Sequence, residues 1–233
     1  MKNRKWTGIL GVLAAAGFAL RRMVYAGAVD EKNLIVTGHP FVIALWALTA
    51  VALVLAAFAG WKQGGSGLFA EHFGASAPAF FGHGMLAAGV LVTAVLNEAA
   101  MPGLLGSLWK VLGILTPVCL VLAGFDRLRG KMPFFGFYAL ACVFFAVHVV
   151  NHYQIWCREP QLAEYFFSLT AMVALTLFAY QQAAFSADTG SRRMLTFTGL
   201  AAAWLSVAEL AGSMYPYLYV GVILYCLTAL SKE

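Results

Sequence analysis

The stretch from His148 to Gln154 brings together the densest set of side chains that could do chemistry, and it reads His-Val-Val-Asn-His-Tyr-Gln. Residues four apart lie on one face of a helix, so His148 and His152 would direct both imidazoles toward the same point. Asn151 adds an amide beside them, and Glu164 follows after a short connection. Two imidazoles and a carboxylate form the ligand set of a catalytic zinc site with an open fourth position.

These side chains allow three interpretations. In the first, a divalent metal such as zinc is bound by the two histidines and Glu164, although Val149 stands where zinc-protease helices carry a glutamate. In the second, the site holds no metal, and the imidazoles bind a polar ligand or handle protons, which suits a side chain that titrates near neutral pH. In the third, both histidines lie at the water interface beside Tyr153 and Trp156, as part of an aromatic belt.

Charged residues within apolar runs are further candidates, because each costs roughly 3 kcal/mol to place in a bilayer. Glu209 ends an otherwise apolar run and must be paired or protonated there. Lys110, Arg21 and Arg22 could each supply its counter-ion. Glu98 stands at the end of another run, where a charge reaches water more easily. The predicted ligand-binding residues are His148, Asn151, His152, Glu164, Glu209, Lys110 and Glu98.

The elements that must position these residues are transmembrane helices. Hydrophobic residues make up 62% of the 233 positions, counting Ala, Val, Ile, Leu, Met, Phe, Trp, Tyr and Cys. Charged residues make up 11%, and the mean hydropathy is +0.81. A chain of this composition cannot cover a soluble globule with polar surface. We therefore predict one all-α membrane domain over residues 1–233, a polytopic helix bundle of about eight spans, or seven, since the first span and the last pair are the least regular. The predicted spans are Trp6–Ala26, Pro40–Gly60, Pro78–Leu96, Leu104–Ala123, Pro133–Val150, Leu162–Phe185, Met194–Ala211 and Met214–Leu230.

The basic residues predict how the bundle is oriented. They stand singly or in small groups between apolar runs, a pattern that marks membrane topology and argues against nucleic acid as a partner. With eight spans, ten lie on one side and four on the other, and the richer side should be cytoplasmic. Both termini would then lie on the cytoplasmic side of the plasma membrane. The ten are Lys2, Arg4, Lys5, Lys62, Arg127, Arg129, Lys131, Arg192, Arg193 and Lys232; the four are Arg21, Arg22, Lys32 and Arg158.

Polar residues within the predicted spans are unevenly distributed. Most lie toward the outer side, whereas the cytoplasmic half holds only His83, with Gln181 and Gln182 near its end. A lone histidine beside glycines is typical of a core residue whose hydrogen bonds are satisfied. The distribution as a whole predicts an outward-facing polar pocket above an apolar floor.

Two similar segments suggest a weak internal repeat. Residues 47–50 read Ala-Leu-Thr-Ala and residues 168–171 read Ser-Leu-Thr-Ala, with a proline at a similar distance before each. Halves of four spans would share one orientation, as in parallel repeats. The predicted halves of this 4+4 arrangement are residues 1–123 and 124–233.

These features lead to three functional hypotheses, and the sequence lacks the phosphate-loop and nucleophile-elbow motifs that would indicate others. The first is that the outward-facing pocket binds or transports a small solute or lipid. The second is a membrane-embedded, metal-dependent hydrolase that acts near the outer leaflet. The third is a quinone-binding or anchor subunit of a membrane complex. The lipid bilayer is a partner in all three, and a second copy of the chain or another membrane protein could join it.

Overall fold

The fold is built from helices. A computed structural model of the protein describes residues 2–30, 34–65, 67–96, 103–157, 165–213 and 215–230. Within these ranges, one isolated bridge of the β type joins Val29 to Ile35. The helices are α1 (Lys2–Gly27), α2 (Pro40–Trp61), α3 (Phe69–His72), α4 (Ala77–Leu96), α5 (Leu104–Leu128), α6 (Phe135–Trp156), α7 (Phe166–Phe185), α8 (Arg192–Glu209) and α9 (Pro216–Leu230).

The long helices follow the predicted spans closely, which confirms the all-α prediction. α2 begins at Pro40 as predicted, and the His39 imidazole caps it by accepting a hydrogen bond from the Phe41 backbone N–H at 3.3 Å. The short helix α3 is an addition that the sequence did not indicate. α6 continues to Trp156 rather than ending at Val150, because neither proline nor glycine lies between these residues.

Five helices are long and apolar enough to cross a membrane, and they indicate a multi-pass membrane protein. They are α2, α4, α5, α7 and the part of α6 from Phe135 to Gln154. α9 is apolar but shorter. α8 carries Arg192, Arg193 and Glu209 at its ends, and neither α8 nor α1 meets the same criterion in the part of the chain that is described. The predicted count of eight spans therefore goes beyond the five that length and hydropathy support.

Six helices, α4 to α9, form a closed ring. Each packs against the next one along the chain, and α9 packs back on α4. α1 and α2 pack on each other and on α8 from outside the ring. The predicted repeat would make α7 the counterpart of α2, yet α7 lies between two ring helices and α2 does not. The 4+4 repeat stays a prediction.

Glycines allow α4 and α9 to close the ring. A β-carbon on Gly89 would lie 2.6 Å from the backbone oxygen of Tyr217, and one on Gly221 would lie 2.7 Å from that of Met85. A side chain at either position would clash with the facing backbone, so glycine is needed for this approach. Small residues serve the same purpose where other membrane helices pack closely.

The two ends of the ring bury different polar side chains. At one end the start of α5 meets the end of α6, and we call the group of Trp109, His148, Asn151 and His152 the histidine end. At the opposite end, the last turn of α5 and the first residue of α8 meet the segment after α3. We call the group of Phe73, Arg127 and Arg192 the arginine end.

Apolar side chains fill the space between these ends. Phe144 and Phe145 lie about one turn from His148, toward the middle of α6, and are no more than 1% exposed. Leu86 and Met172, in the middle parts of α4 and α7, are buried to the same degree. We call these four residues the apolar layer, and its place below the histidines is consistent with the predicted floor.

Candidate functional site

His148 is held in one protonation state by a neighbouring helix. The indole N–H of Trp109, on α5, donates a hydrogen bond to His148 Nδ1 at 3.0 Å. Because an indole nitrogen can only donate, Nδ1 must accept, and the proton of the neutral imidazole therefore lies on Nε2. That Nε2 is buried and has no hydrogen-bond partner among the described residues. His148 thus offers an unused N–H donor inside the bundle.

Asn151 lies three residues further along α6, on the same helical face, and is 1% exposed. Neither its side-chain oxygen nor its side-chain nitrogen has a partner among the described residues. Each buried polar atom left without a hydrogen bond costs about 1–3 kcal/mol. Together with His148, the amide gives the site two kinds of donor and one acceptor that the protein itself does not use.

His152 is the third residue of the group, and its ring contacts the aromatic side chains around it. Its ring stacks on that of His148 with 4.0 Å between centroids, and its Nδ1 lies 3.0 Å from the His148 backbone oxygen. A carbonyl oxygen only accepts, so Nδ1 carries the proton of the neutral ring. The Tyr215 ring meets His152 edge-on at 5.4 Å, and the rings of Trp109 and Phe144 each lie 6.0 Å from that of His148.

This geometry separates the three interpretations of the histidines. The interface interpretation is wrong, because His148 and His152 are only 1% and 2% exposed. For the metal interpretation, Glu164 lies outside the described residues, and those that are described contain no group of three His, Cys, Asp or Glu placed to hold a metal. The proton on His148 Nε2 also occupies the nitrogen that a metal would need. The contacts therefore favour a site without metal.

Glu209 is paired, and its partner is Arg21. The Arg21 guanidinium donates to the Glu209 carboxylate at 3.3 Å and to the Tyr25 hydroxyl at 2.9 Å, and it lies 4.5 Å from the centre of the Phe167 ring. The pair joins α1 to α8. Lys110 is exposed on α5, so the prediction that it could neutralise Glu209 is wrong.

Arg22 uses its guanidinium differently, by donating to the backbone oxygen of Ala211 at 3.2 Å. Glu98 lies outside the described residues, as Glu164 does. Of the predicted binding residues, the structure therefore brings together His148, Asn151 and His152, and it places Glu209 in an ion pair of its own.

His83 is a satisfied core residue, as the sequence indicated. Its Nδ1 lies 2.6 Å from the backbone oxygen of Ala79 and therefore donates. Its Nε2 then accepts from the Tyr138 hydroxyl at 2.9 Å. Both ring nitrogens are used, so this histidine offers nothing to a ligand.

The sequence does not predict the arginine end. The sequence predicts that the half of the spans away from the histidines holds only His83 and two glutamines, whereas Arg127 and Arg192 are each 3% exposed at that end. The reason is that α5 continues past the predicted end at Ala123 and takes Arg127 into its last turn. One signal was present, since Leu120, Ala123, Gly124 and Arg127 have the spacing of one helical face, and all are buried.

The histidine end therefore offers an uncharged site with aromatic walls, and the arginine end offers buried positive charge. No protein-family model, curated protein or solved structure matches the chain.

Proposed function

We propose that the protein binds a small, uncharged polar solute at the histidine end and carries it across the membrane. The observation that supports this most directly is the set of buried, unpartnered atoms of His148 and Asn151. They consist of an imidazole N–H, an amide NH₂ and an amide oxygen. A solute that combines a carbonyl or hydroxyl oxygen with an N–H or O–H group would satisfy all three, as a small amide or alcohol does.

The absence of net charge at this site narrows the solute class. The hydrogen bond from Trp109 to Nδ1 requires His148 to be neutral, and Asn151 cannot ionise. The Arg21–Glu209 pair neutralises itself. The rings of Trp109 and Tyr215 lie beside the two imidazoles and suit the apolar parts of a solute.

We further propose that α1, α8 and α9 also cross the plasma membrane, which gives eight spans. They pack alongside the five apolar helices, and α8 and α9 belong to the ring itself. Basic residues at the helix ends, such as Arg129 and Arg193, gather at the arginine end and favour a cytoplasmic location for it. Both chain termini would then be cytoplasmic and the histidine end would face outward.

Transport requires the apolar layer to open. Phe144, Phe145, Leu86 and Met172 are each no more than 1% exposed. We infer that these side chains block the route between the two ends and must move apart for a solute to pass. Alternating access needs polar groups on both sides of such a barrier. The arginine end provides polar groups on the second side, and this favours transport over a catalytic site that opens to one side only.

Asn151→Leu tests the proposal, because leucine keeps the approximate volume and removes both unused polar atoms. We expect the purified variant to lose binding in a thermal-shift screen of small amides and alcohols, while its free energy of unfolding rises by about 1 kcal/mol. Gln154→Leu is the matched control, since Gln154 is exposed three residues further along α6.

Two results would contradict the proposal. One is unchanged solute binding in Asn151→Leu. The other is a strong loss of stability in that variant, which would mean that the amide has a structural role within the bundle. Uptake into proteoliposomes of the solute found in the screen then distinguishes transport from binding alone.

A further inference from the structure

The arginine end contains two buried guanidinium groups beside one aromatic ring. The guanidinium carbon of Arg127 lies 4.4 Å from the centre of the Phe73 ring, and that of Arg192 lies 5.6 Å from the same centre. Since both distances share one point, the two carbons are at most about 10 Å apart. The positive charge of Arg127 acts on Arg192, so the two groups repel each other.

Arg192 lacks the partners that a buried arginine needs. Its Nε and Nη1 atoms are buried and have no hydrogen-bond acceptor among the described residues. The ion pair described for this chain joins Arg21 to Glu209 at the opposite end of α8. Among the acidic side chains at this end, Asp188 is exposed and accepts a hydrogen bond from the Phe69 backbone N–H at 2.8 Å. Glu71 is exposed on α3, and Asp126 directly precedes Arg127 in α5.

A buried positive charge is strongly unfavourable unless an anion accompanies it. The contacts with Phe73 stabilise a guanidinium by less than the cost of burying it. We therefore propose that the arginine end binds a phosphate group, with Arg192 as the main hydrogen-bond donor and Arg127 as a second positive charge.

Phosphate matches these two arginines better than a carboxylate does. It presents several acceptor oxygens in different directions and carries one or two negative charges, so it can face two guanidiniums at once. The group can come from an anionic phospholipid or from a soluble phosphate. Basic sites between helices on the cytoplasmic side of membrane proteins bind phospholipid head groups, and the arginine end has the same character.

The experiment measures the melting temperature of the full-length, detergent-purified protein against increasing probe concentration. The soluble probe is inorganic phosphate, compared with sodium chloride at equal ionic strength. The lipid probe is dihexanoyl phosphatidic acid, compared with dihexanoyl glycerol, which lacks the phosphate. We expect at least one phosphate probe to stabilise the wild-type protein well beyond its reference. Stabilisation by both indicates that the phosphate group suffices, and stabilisation by the lipid alone assigns the site to a phospholipid.

Matched variants locate the effect. Arg192→Gln should weaken the apparent affinity about tenfold or more, because charged hydrogen bonds are lost. Arg193→Gln removes the same charge from the next residue, which is exposed, and should change the affinity less than about twofold. Arg127→Gln and the exposed Arg129→Gln form a second pair with the same expectation.

Two outcomes would overturn the proposal. One is a wild-type protein that neither phosphate probe stabilises beyond its reference. The other is an equal loss in Arg192→Gln and Arg193→Gln, which would indicate general surface attraction. Should Arg192→Gln fail to fold, Arg192→Lys keeps the charge without the planar donor array, and an affinity equal to that of the wild-type protein would count against the site.

Discussion

The histidine end and the arginine end bury polar side chains to a similar degree but leave different chemistry unused. At the histidine end, His148 and Asn151 are neutral, and their unused atoms are single hydrogen-bond donors and an acceptor. At the arginine end, Arg192 carries a full charge in a setting of similar burial, and its Nε and Nη1 have no partner among the described residues. Each unused neutral atom costs about 1–3 kcal/mol, whereas an uncompensated buried charge costs more. Without a ligand, the first end should therefore cost the fold less free energy than the second.

Arg21 shows how the same chain satisfies a buried arginine when no ligand is required. It has Glu209 at 3.3 Å, the Tyr25 hydroxyl at 2.9 Å and the face of Phe167. Arg192 has an aromatic ring alone among its described contacts. Arg21 therefore holds two helices together through a satisfied ion pair. Arg192 instead has donor atoms that are available to a ligand.

The largest expected effect comes from breaking the satisfied pair. Glu209→Gln leaves Arg21 buried without its counter-charge and should lower the free energy of unfolding by about 3–5 kcal/mol. Denaturant unfolding in detergent, followed by tryptophan fluorescence, measures the loss. Lys110→Gln serves as the control and should have almost no effect, since Lys110 is exposed. A loss in the control as large as in Glu209→Gln would restore Lys110 as the counter-ion.

A smaller loss is expected at His83. Tyr138→Phe removes the hydroxyl that donates to His83 Nε2 and leaves that nitrogen buried and unsatisfied, which should cost about 1–3 kcal/mol. Tyr153→Phe is the matched control, because Tyr153 is 45% exposed on the same helix. Equal stability of the two variants would show that the hydrogen bond from Tyr138 to His83 does not stabilise the fold. The contrast between a satisfied His83 and an unsatisfied His148 would then be weaker.

A change of opposite sign is expected at Arg192. In buffer and detergent free of phosphate and lipid, Arg192→Leu should raise the free energy of unfolding by about 1 kcal/mol, because it removes donors that have no acceptor. Arg21→Leu should instead destabilise the protein, since it removes the guanidinium that pairs with the buried Glu209 carboxylate. Denaturant unfolding curves of the two variants, compared with that of the wild-type protein, test the difference between Arg192 and Arg21. Similar losses in both variants would mean that Arg192 also has a structural partner.

Much of the fold follows from local features of the sequence. Apolar runs bounded by Pro40, Gly103 and Pro216 place three helix starts within a few residues of those observed. The short helix α3 could not be found in this way, because one turn has too few residues to show a period. The span predicted for α6 ends at Val150, before the polar residues Asn151 and His152, whereas the fold buries both of these side chains.

The candidate site could be predicted only where its parts are close in sequence. His148, Asn151 and His152 share a helical face, and their spacing alone brings them together. Trp109 is 39 residues away, and no pattern within the sequence links its indole to His148. Arg192 was counted with the loop residues, and its burial depends on Phe73, which a single helix does not specify.

The smallest expected effect is that of removing metal. Treatment with a chelator should leave the melting temperature of the wild-type protein unchanged, and mass spectrometry should find less than one zinc ion per chain, because Trp109 fixes the proton of His148 on Nε2. Trp109→Phe removes that constraint, so any zinc affinity at this end should be higher in the variant than in the wild-type protein. One zinc per wild-type chain that disappears in His148→Ala would reverse the assignment. The histidine end would then be a metal site, and the hydrolase hypothesis would replace solute binding.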